Sequence, residues 1–324
     1  MKNLVEKRLA RIFIIFLLLC LAIGGLEALL KPAPVFFKSI NLMNILLQTS
    51  INTIIAVGMT FIIITAGIDL AVGSTLALCN VLMGLVMPAV GLQHPFFQIS
   101  LAVIAALAVG GFIGFLNGGI SVAWRIPPFI VTLGMLGIAR GLALWLSDSQ
   151  TVNLIGRVDS AFSFIGNGRL LGVPMPAVFA LLVVAVGHFL LNQTRFGRYA
   201  IAIGGNREAA RMSGIRVGYY TTLAYVFAGL LVGLAAVVQT SRLGSANPTI
   251  GAGYELYAIA AAIIGGTSLM GGEGAIGGTL IGALIIGVLN NGLTLMNIAD
   301  EIKQIIIGLV IIIAVMADRR RRTQ

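Results

Sequence analysis

Long apolar runs separated by short polar turns recur from one end of the chain to the other. They fall approximately at 12–30, 43–65, 70–90, 97–123, 126–146, 174–193, 218–240, 255–269, 276–297 and 301–317. A helix needs about 20 mostly apolar residues to cross about 30 Å of hydrocarbon. The pattern therefore predicts about ten membrane-spanning helices, the eighth short and interrupted by glycine. The first run follows a basic start, as a signal peptide does. It is longer than a typical signal core and lacks a small-residue cleavage site, so it is read as the first span. The only long segments between runs lie near 147–173 and 194–217, too little for a soluble domain. Residues 1–324 are read as one transmembrane domain.

Composition excludes the soluble alternative. Hydrophobic residues make up 58% of the chain and charged residues 10%, with mean hydropathy +1.03. Soluble domains carry about 25% charged residues, and a water-facing surface needs polar cover that this chain lacks. The formal net charge is +10. Its distribution argues against nucleic acid as a partner, because the basic residues are not patterned as a binding face. Lys2, Lys7, Arg8 and Arg11 precede the first run, Arg125 follows the fourth, five arginines lie between Arg195 and Arg216, and four more occupy 319–322. With an even number of spans all these fall on one side, which the positive-inside rule makes the cytoplasm. Both termini are expected there.

Glycine is abundant, 41 of 324 residues, and much of it lies inside the runs. Small residues let helix backbones approach in lipid, where no hydrophobic force drives them together. The densest stretch, Gly265-Gly266-Thr267-Ser268 through Gly277-Gly278, reads as helix packing, as a broken helix buried in protein, or as part of a solute pathway. A weak internal repeat relates Gly114-Phe115-Leu116-Asn117-Gly118-Gly119 to Gly287-Val288-Leu289-Asn290-Asn291-Gly292. Repeated halves are common in transporters.

Candidate chemistry is sparse. A phosphate-cradling loop needs Gly-x-x-x-x-Gly-Lys-Ser/Thr, and the chain has no Gly-Lys pair. Any ATP hydrolysis must belong to another subunit. There is no nucleophile elbow, zinc motif or paired carboxylate on a helix face, so the chain is read as no enzyme, with no catalytic residue, metal or cofactor. Cys20 and Cys79 lie in apolar runs without ligand spacing, and His94 and His188 are isolated. Asp69 lies at a turn between two spans, placed to cap the following helix. Arg140 lies well inside the fifth span, either snorkelling, paired with a carboxylate, or facing a pathway. The spans lack the chain of Asp, Glu or His that a proton-coupled pump uses.

The segment 194–217 is the most informative. Asn206 suits a helix N-cap, Glu208 is favourable in a first turn, and Gly214 suits the C′ stop. A helix of about two turns outside the membrane is expected, and a capped helix points to docking, where a loop that only sets topology needs none.

Here the sequence resembles the permease subunits of bacterial ATP-binding-cassette sugar importers, particularly the ribose-type permeases. The resemblance runs through Ile45-Leu46-Leu47-Gln48-Thr49-Ser50, Ala56-Val57-Gly58-Met59-Thr60 and Gly67-Ile68-Asp69-Leu70-Ala71-Val72-Gly73-Ser74. It continues in Arg195-Phe196-Gly197-Arg198-Tyr199, Gly204-Gly205-Asn206, Gly253-Tyr254-Glu255-Leu256, Ile264-Gly265-Gly266-Thr267-Ser268-Leu269 and Leu289-Asn290-Asn291-Gly292-Leu293. Each motif alone is weak, but their ordered set is specific. It implies an all-α polytopic importer-permease fold in the bacterial inner membrane, a homodimer with a second permease copy, an ATPase subunit on the cytoplasmic face and a periplasmic sugar-binding protein. Asn206, Arg207, Glu208, Ala209, Ala210, Arg211 and Gly214 would form the coupling helix seated on the ATPase. Asp69, Arg140, Glu255, Tyr257, Asn290 and Asn291 are the pathway candidates. Tyr257 stands where ribose-type members usually carry an aspartate, which leaves the sugar open, with ribose or another monosaccharide leading. The alternative function is an ion-gradient-driven secondary transporter of a small polar solute.

Overall fold

The computed structural model describes residues 2–90 and 95–322, with side chains described for 9–90 and 95–316; His94 and the basic side chains at 2–8 and 319–322 lie outside the described residues. The chain runs α1 (Lys2–Leu30), α2 (Ser39–Ile64), α3 (Val72–Val90), α4 (Pro95–Ala123), α5 (Pro128–Leu146), β1 (Val152–Asn153), α6 (Ser160–Asn167), β2 (Arg169–Leu170), β3 (Val173–Pro174) and α7 (Met175–Gln193). It continues through α8 (Arg195–Gly205), α9 (Arg207–Met212), α10 (Val217–Leu243), β4 (Ser245–Ala246), α11 (Tyr254–Ile264), α12 (Ile276–Leu295) and α13 (Asp300–Arg322). Among the described residues, eight helices are long and apolar enough to cross a membrane: α2, α3, α4, α5, α7, α10, α12 and the part of α1 over Leu9–Leu30. The fold is all-α and polytopic.

One of the ten expected spans differs from a plain crossing. The run at 255–269 is helical only over the 11 residues of α11, about 16 Å at 1.5 Å per residue, half of the hydrocarbon thickness. The last run lies wholly within α13, 23 residues long.

The helices form two matching sets. In each, a long helix is followed by an extended break, a helix starting below the surface, and two further helices: α2 to α5, then α10 to α13. The packing repeats as well. α4 lies on α10 as α12 lies on α2, and α3 touches α4 and α5 as α11 touches α12 and α13. α2 and α10 meet at the centre and run antiparallel, with Gly58 on Ala228 and Ile62 beside Tyr225. The two sets are therefore inverted relative to each other, a transporter architecture. The hexapeptide repeat falls on the equivalent helices α4 and α12.

Glycine sets the spacing of these seams. A methyl group added at Gly110 would overlap the Gly229 carbonyl oxygen, and one at Gly229 would overlap the Gly110 carbonyl. Gly114 bears in the same way on the Tyr225 carbonyl, and Gly287 on Thr49 of α2. The glycines at 265–278 serve packing too: Gly265 and Gly278 lie backbone to backbone where α11 crosses α12.

The breaks would be costly in lipid unless their peptide groups found partners. In the first, Tyr225 and Thr132 hydroxyls donate to the Ile68 carbonyl at 3.2 and 3.3 Å, and the Ala71 N–H donates to Asp69 Oδ1 at 2.8 Å. In the second, the Asn247 N–H donates to Asn80 Oδ1 at 2.6 Å, and Arg140 Nη1 donates to the carbonyls of Pro248 (2.5 Å) and Ile250 (3.0 Å). β4 pairs antiparallel with β1, which ties the 147–173 segment to this break. α6 locks onto the end of α10, where the Gly166 N–H donates to Ser241 Oγ at 2.7 Å. The α1–α2 connection is closed likewise by Glu27, buried, accepting from the N–H groups of Val35 and Phe36.

Two outcomes are expected. Gly114→Val should force α4 from α10 and destabilise the protein by about 1–3 kcal/mol or more, whereas Gly119→Ala, facing open space, should not; thermal melting of the purified protein in detergent separates them. Arg140→Leu should strand two carbonyls at about 1–3 kcal/mol each, and Arg140→Lys should recover part of the lost melting temperature.

Candidate functional site

Three groups of residues bear on function. The first is the segment between α7 and α10. Asn206 caps α9 by accepting the Ala209 N–H on Oδ1 at 2.9 Å. The helix ends where Gly214 takes φ +78°, with the Ile215 N–H returning to the Ala210 carbonyl at 3.1 Å and the Gly214 N–H to the Arg211 carbonyl at 3.0 Å. This is a Schellman stop, so both ends of the expected helix are present at the residues that predicted them. Its outward face is Arg207, Glu208, Ala209, Arg211 and Met212, the last 83% exposed. Ala210 alone turns inward, 4% exposed, against Ile203 and Val217.

The preceding stretch is not loop, as the sequence reading had it, but the 11-residue helix α8. Its apolar positions Phe196, Ala200 and Ile203 recur at helical spacing, a signal too short to stand out beside the spans. Phe196 stacks on Phe61 of α2 with ring centroids 5.2 Å apart. At its far end Gly204 lies against the Ile64 carbonyl that terminates α2, and the same carbonyl accepts the Gly272 N–H at 2.9 Å. α9 is thereby joined through α8 to the end of α2 and to the turn between α11 and α12. Beneath α9, a cavity of about 530 Å³ opens towards the α4–α5 turn, lined by Arg125, Arg207, Glu208 and Arg211 among others.

The second group is the crossing of the two breaks. It gathers Asp69, Arg140 and Glu255. Asp69 is buried, spends Oδ1 on its own turn, and receives Asn117 Nδ2 on Oδ2 at 3.5 Å. Glu255, in the first turn of α11, reaches towards Gly73 at the start of α3, where a helix N-terminus favours negative charge. All three are occupied in holding non-helical backbone.

The third group is a cavity of about 230 Å³ between α2, α11, α12 and the end of α10, lined by the polar residues Gln48, Thr49, Asn52, Arg242, Tyr254, Tyr257 and Asn290. It unites the pathway candidates Tyr257 and Asn290. Asn291, one position on, faces elsewhere and exchanges two 3.0 Å amide hydrogen bonds with Asn41 of α2. Gln48, Asn52, Arg242 and Tyr254 were not singled out from sequence. Gln48 and Asn52 are four residues apart in an apolar helix, which puts them on one face; that spacing was the available signal. Arg242 falls just past the apolar run at 218–240, and the structure carries α10 on through Leu243.

The chain matches the family described as branched-chain amino acid transport system / permease component over residues 41–315. It is 45% identical over 292 residues to the ribose import permease protein of Escherichia coli K12, covering 90% of this chain and 89% of that protein. It is 43% identical over 288 residues to the ribose import permease protein of Bacillus subtilis 168, covering 89% and 87%. The D-allose transport system permease protein of Escherichia coli K12 is 40% identical over 287 residues, covering 88% and 85%. No solved structure matches the chain. Aligned over nearly its whole length at this identity, the chain belongs to the branched-chain amino acid transport system / permease component family, within its ribose-type importer permeases.

Proposed function

We propose that the chain is the permease subunit through which an ATP-binding-cassette importer passes a monosaccharide, ribose or a close relative such as allose, across the bacterial inner membrane. Support comes from the names of its relatives and above all from α9, an exposed, doubly capped helix tied through Gly204 to the end of α2. A six-residue helix has little stability of its own. Its capped ends and single buried anchor present a fixed face of charged and apolar side chains to a partner. That partner is the ATPase subunit, and its closure on ATP displaces α9, α8 and the α2 and α11–α12 ends together. A periplasmic sugar-binding protein delivers solute to the opposite side, and both termini of the permease face the cytoplasm.

A second copy of the chain completes the membrane unit in this reading. Gly134, Gly137 and Gly141 of α5 face open space, on a helix otherwise lined with exposed Ile130, Leu133, Ile138 and Trp145. Small residues on an uncovered helix are what a close helix–helix contact in lipid uses.

The test is uptake by cells or proteoliposomes carrying the permease with its ATPase and binding protein. Arg211→Glu together with Met212→Asp changes only exposed side chains. Import should fall at least tenfold, with the chain still in the membrane and its melting temperature unchanged, and co-purification of the ATPase should weaken. Full-rate import by this double variant would sink the coupling role of α9, and import that needs an ion gradient but no ATP would sink the importer itself.

A further inference from the structure

The cavity between α2, α11 and α12 brings two buried polar atoms with hydrogen-bonding capacity to spare onto one space, together with further polar side chains. Many polar side chains elsewhere in the spans are spent on the chain itself, although single atoms of Gln98, Asn117, Thr221, Gln239 and Thr267 also lack a partner, and none of these lines the cavity. Thr53 and Thr60 donate to the carbonyls four residues back, Asn80 holds Asn247 and Thr240, and Asn41 and Asn291 hold each other. Thr49 is 4% exposed, yet its hydroxyl has no partner, and the buried Oδ1 of Asn52 has none either. Both line the cavity. A buried polar atom without a partner costs free energy comparable to a lost hydrogen bond, and such atoms are rare enough to call for an explanation.

The remaining lining shows what would satisfy them. Gln48 and Asn290 add amide donors and acceptors, and Arg242 adds donors only. Tyr254 and Tyr257, with ring centroids 6.3 Å apart and planes at 51°, supply aromatic faces and two phenolic hydroxyls. No carboxylate lines the space, and Arg242 brings a positive charge to it, which disfavours a divalent cation. Mixed donors and acceptors with aromatic surface suit a neutral ring bearing several hydroxyls. The volume of about 230 Å³ is below the ~300–1,000 Å³ of pockets for drug-sized ligands and in the range of one sugar ring. In the proposed orientation it extends outward from the middle of the membrane, since Gln48 is on the first half of α2, Asn52 at its middle, Arg242 in the last turn of α10 and Asn290 in the second half of α12.

We infer that this cavity is a low-affinity transit site for a single neutral monosaccharide within each permease subunit. The inference rests on the importer reading above and adds to it a place where the solute pauses. Low affinity is what release onward requires, because a permeation path must bind weakly enough to let go.

The test uses the full importer with wild-type permease and with Asn52→Leu and Arg242→Gln, in proteoliposomes with ribose and allose as probes. Maximal uptake should fall at least tenfold in each variant. The half-saturating sugar concentration should stay within twofold, because the soluble binding protein sets it. A second readout does not depend on transport. With Cys20 and Cys79 replaced by alanine, Asn52→Cys should react with a membrane-impermeant maleimide from outside, and ribose at high millimolar concentration should slow that reaction at least threefold. Wild-type rates in both variants, or labelling indifferent to sugar while the parent importer transports it, overturn the transit site and leave the importer standing. A parent complex that moves no sugar overturns both.

Discussion

Inside a membrane domain, a peptide group that leaves a helix has no water to turn to, and this chain leaves its helices twice at depth. The stretches 65–71 and 244–253 expose carbonyls and N–H groups that only protein can satisfy. Five polar side chains around the centre answer that need. Tyr225 and Thr132 hold Ile68, Asp69 holds its own turn, Asn80 holds Asn247, and Arg140 holds Pro248 and Ile250. The breaks also set where α3 and α11 begin, and so where two helix N-termini face the interior. Remove those side chains and the half-helix α11 has no defined start.

The second dependence is steric. Helices that gain nothing from burying apolar surface against one another must fit closely to associate, and the α4–α10 seam does so with glycines whose backbones touch. The inverted counterpart, α12 on α2, replaces one glycine contact by the Asn41–Asn291 amide pair and leaves Gly287 against the hydroxyl of Thr49. The two halves thus share an architecture but not a lining. One seam is closed by glycine contacts from Gly110 to Gly118, and the other borders the polar cavity.

The cytoplasmic end follows from the same close packing. Gly204 brings α8 onto the last carbonyl of α2, which also accepts the Gly272 N–H. A displacement of α9 therefore bears on both halves of the inverted pair at once. Interiors packed this closely transmit shifts rather than absorb them, which is the physical basis for reading α9 as the input of the device.

By itself the sequence determined the solvent, the helical class, and the ends of α9, because each depends on local rules: apolar run length, charge placement, and the side chains that cap a turn. Asn206 and Gly214 were legible for that reason, as was Asp69 at its turn. The repeat was half legible, since two similar hexapeptides carry no information about direction; only packing showed that α4 and α12 occupy inverted positions. The roles of polar residues inside the spans were legible only as far as helix spacing shows which of them share a face, as for Gln48 and Asn52. Asn290 and Asn291 are neighbours of the same type, yet one lines the cavity and the other is consumed by Asn41. A rotation of about 100° per residue around the helix separates them. Gln48, Asn52 and Arg242 come together from two helices, and whether a buried hydroxyl or amide is satisfied depends on what lies across the seam. Tertiary structure alone decides that, because hydrogen bonds in a dry interior are made between elements far apart in the chain.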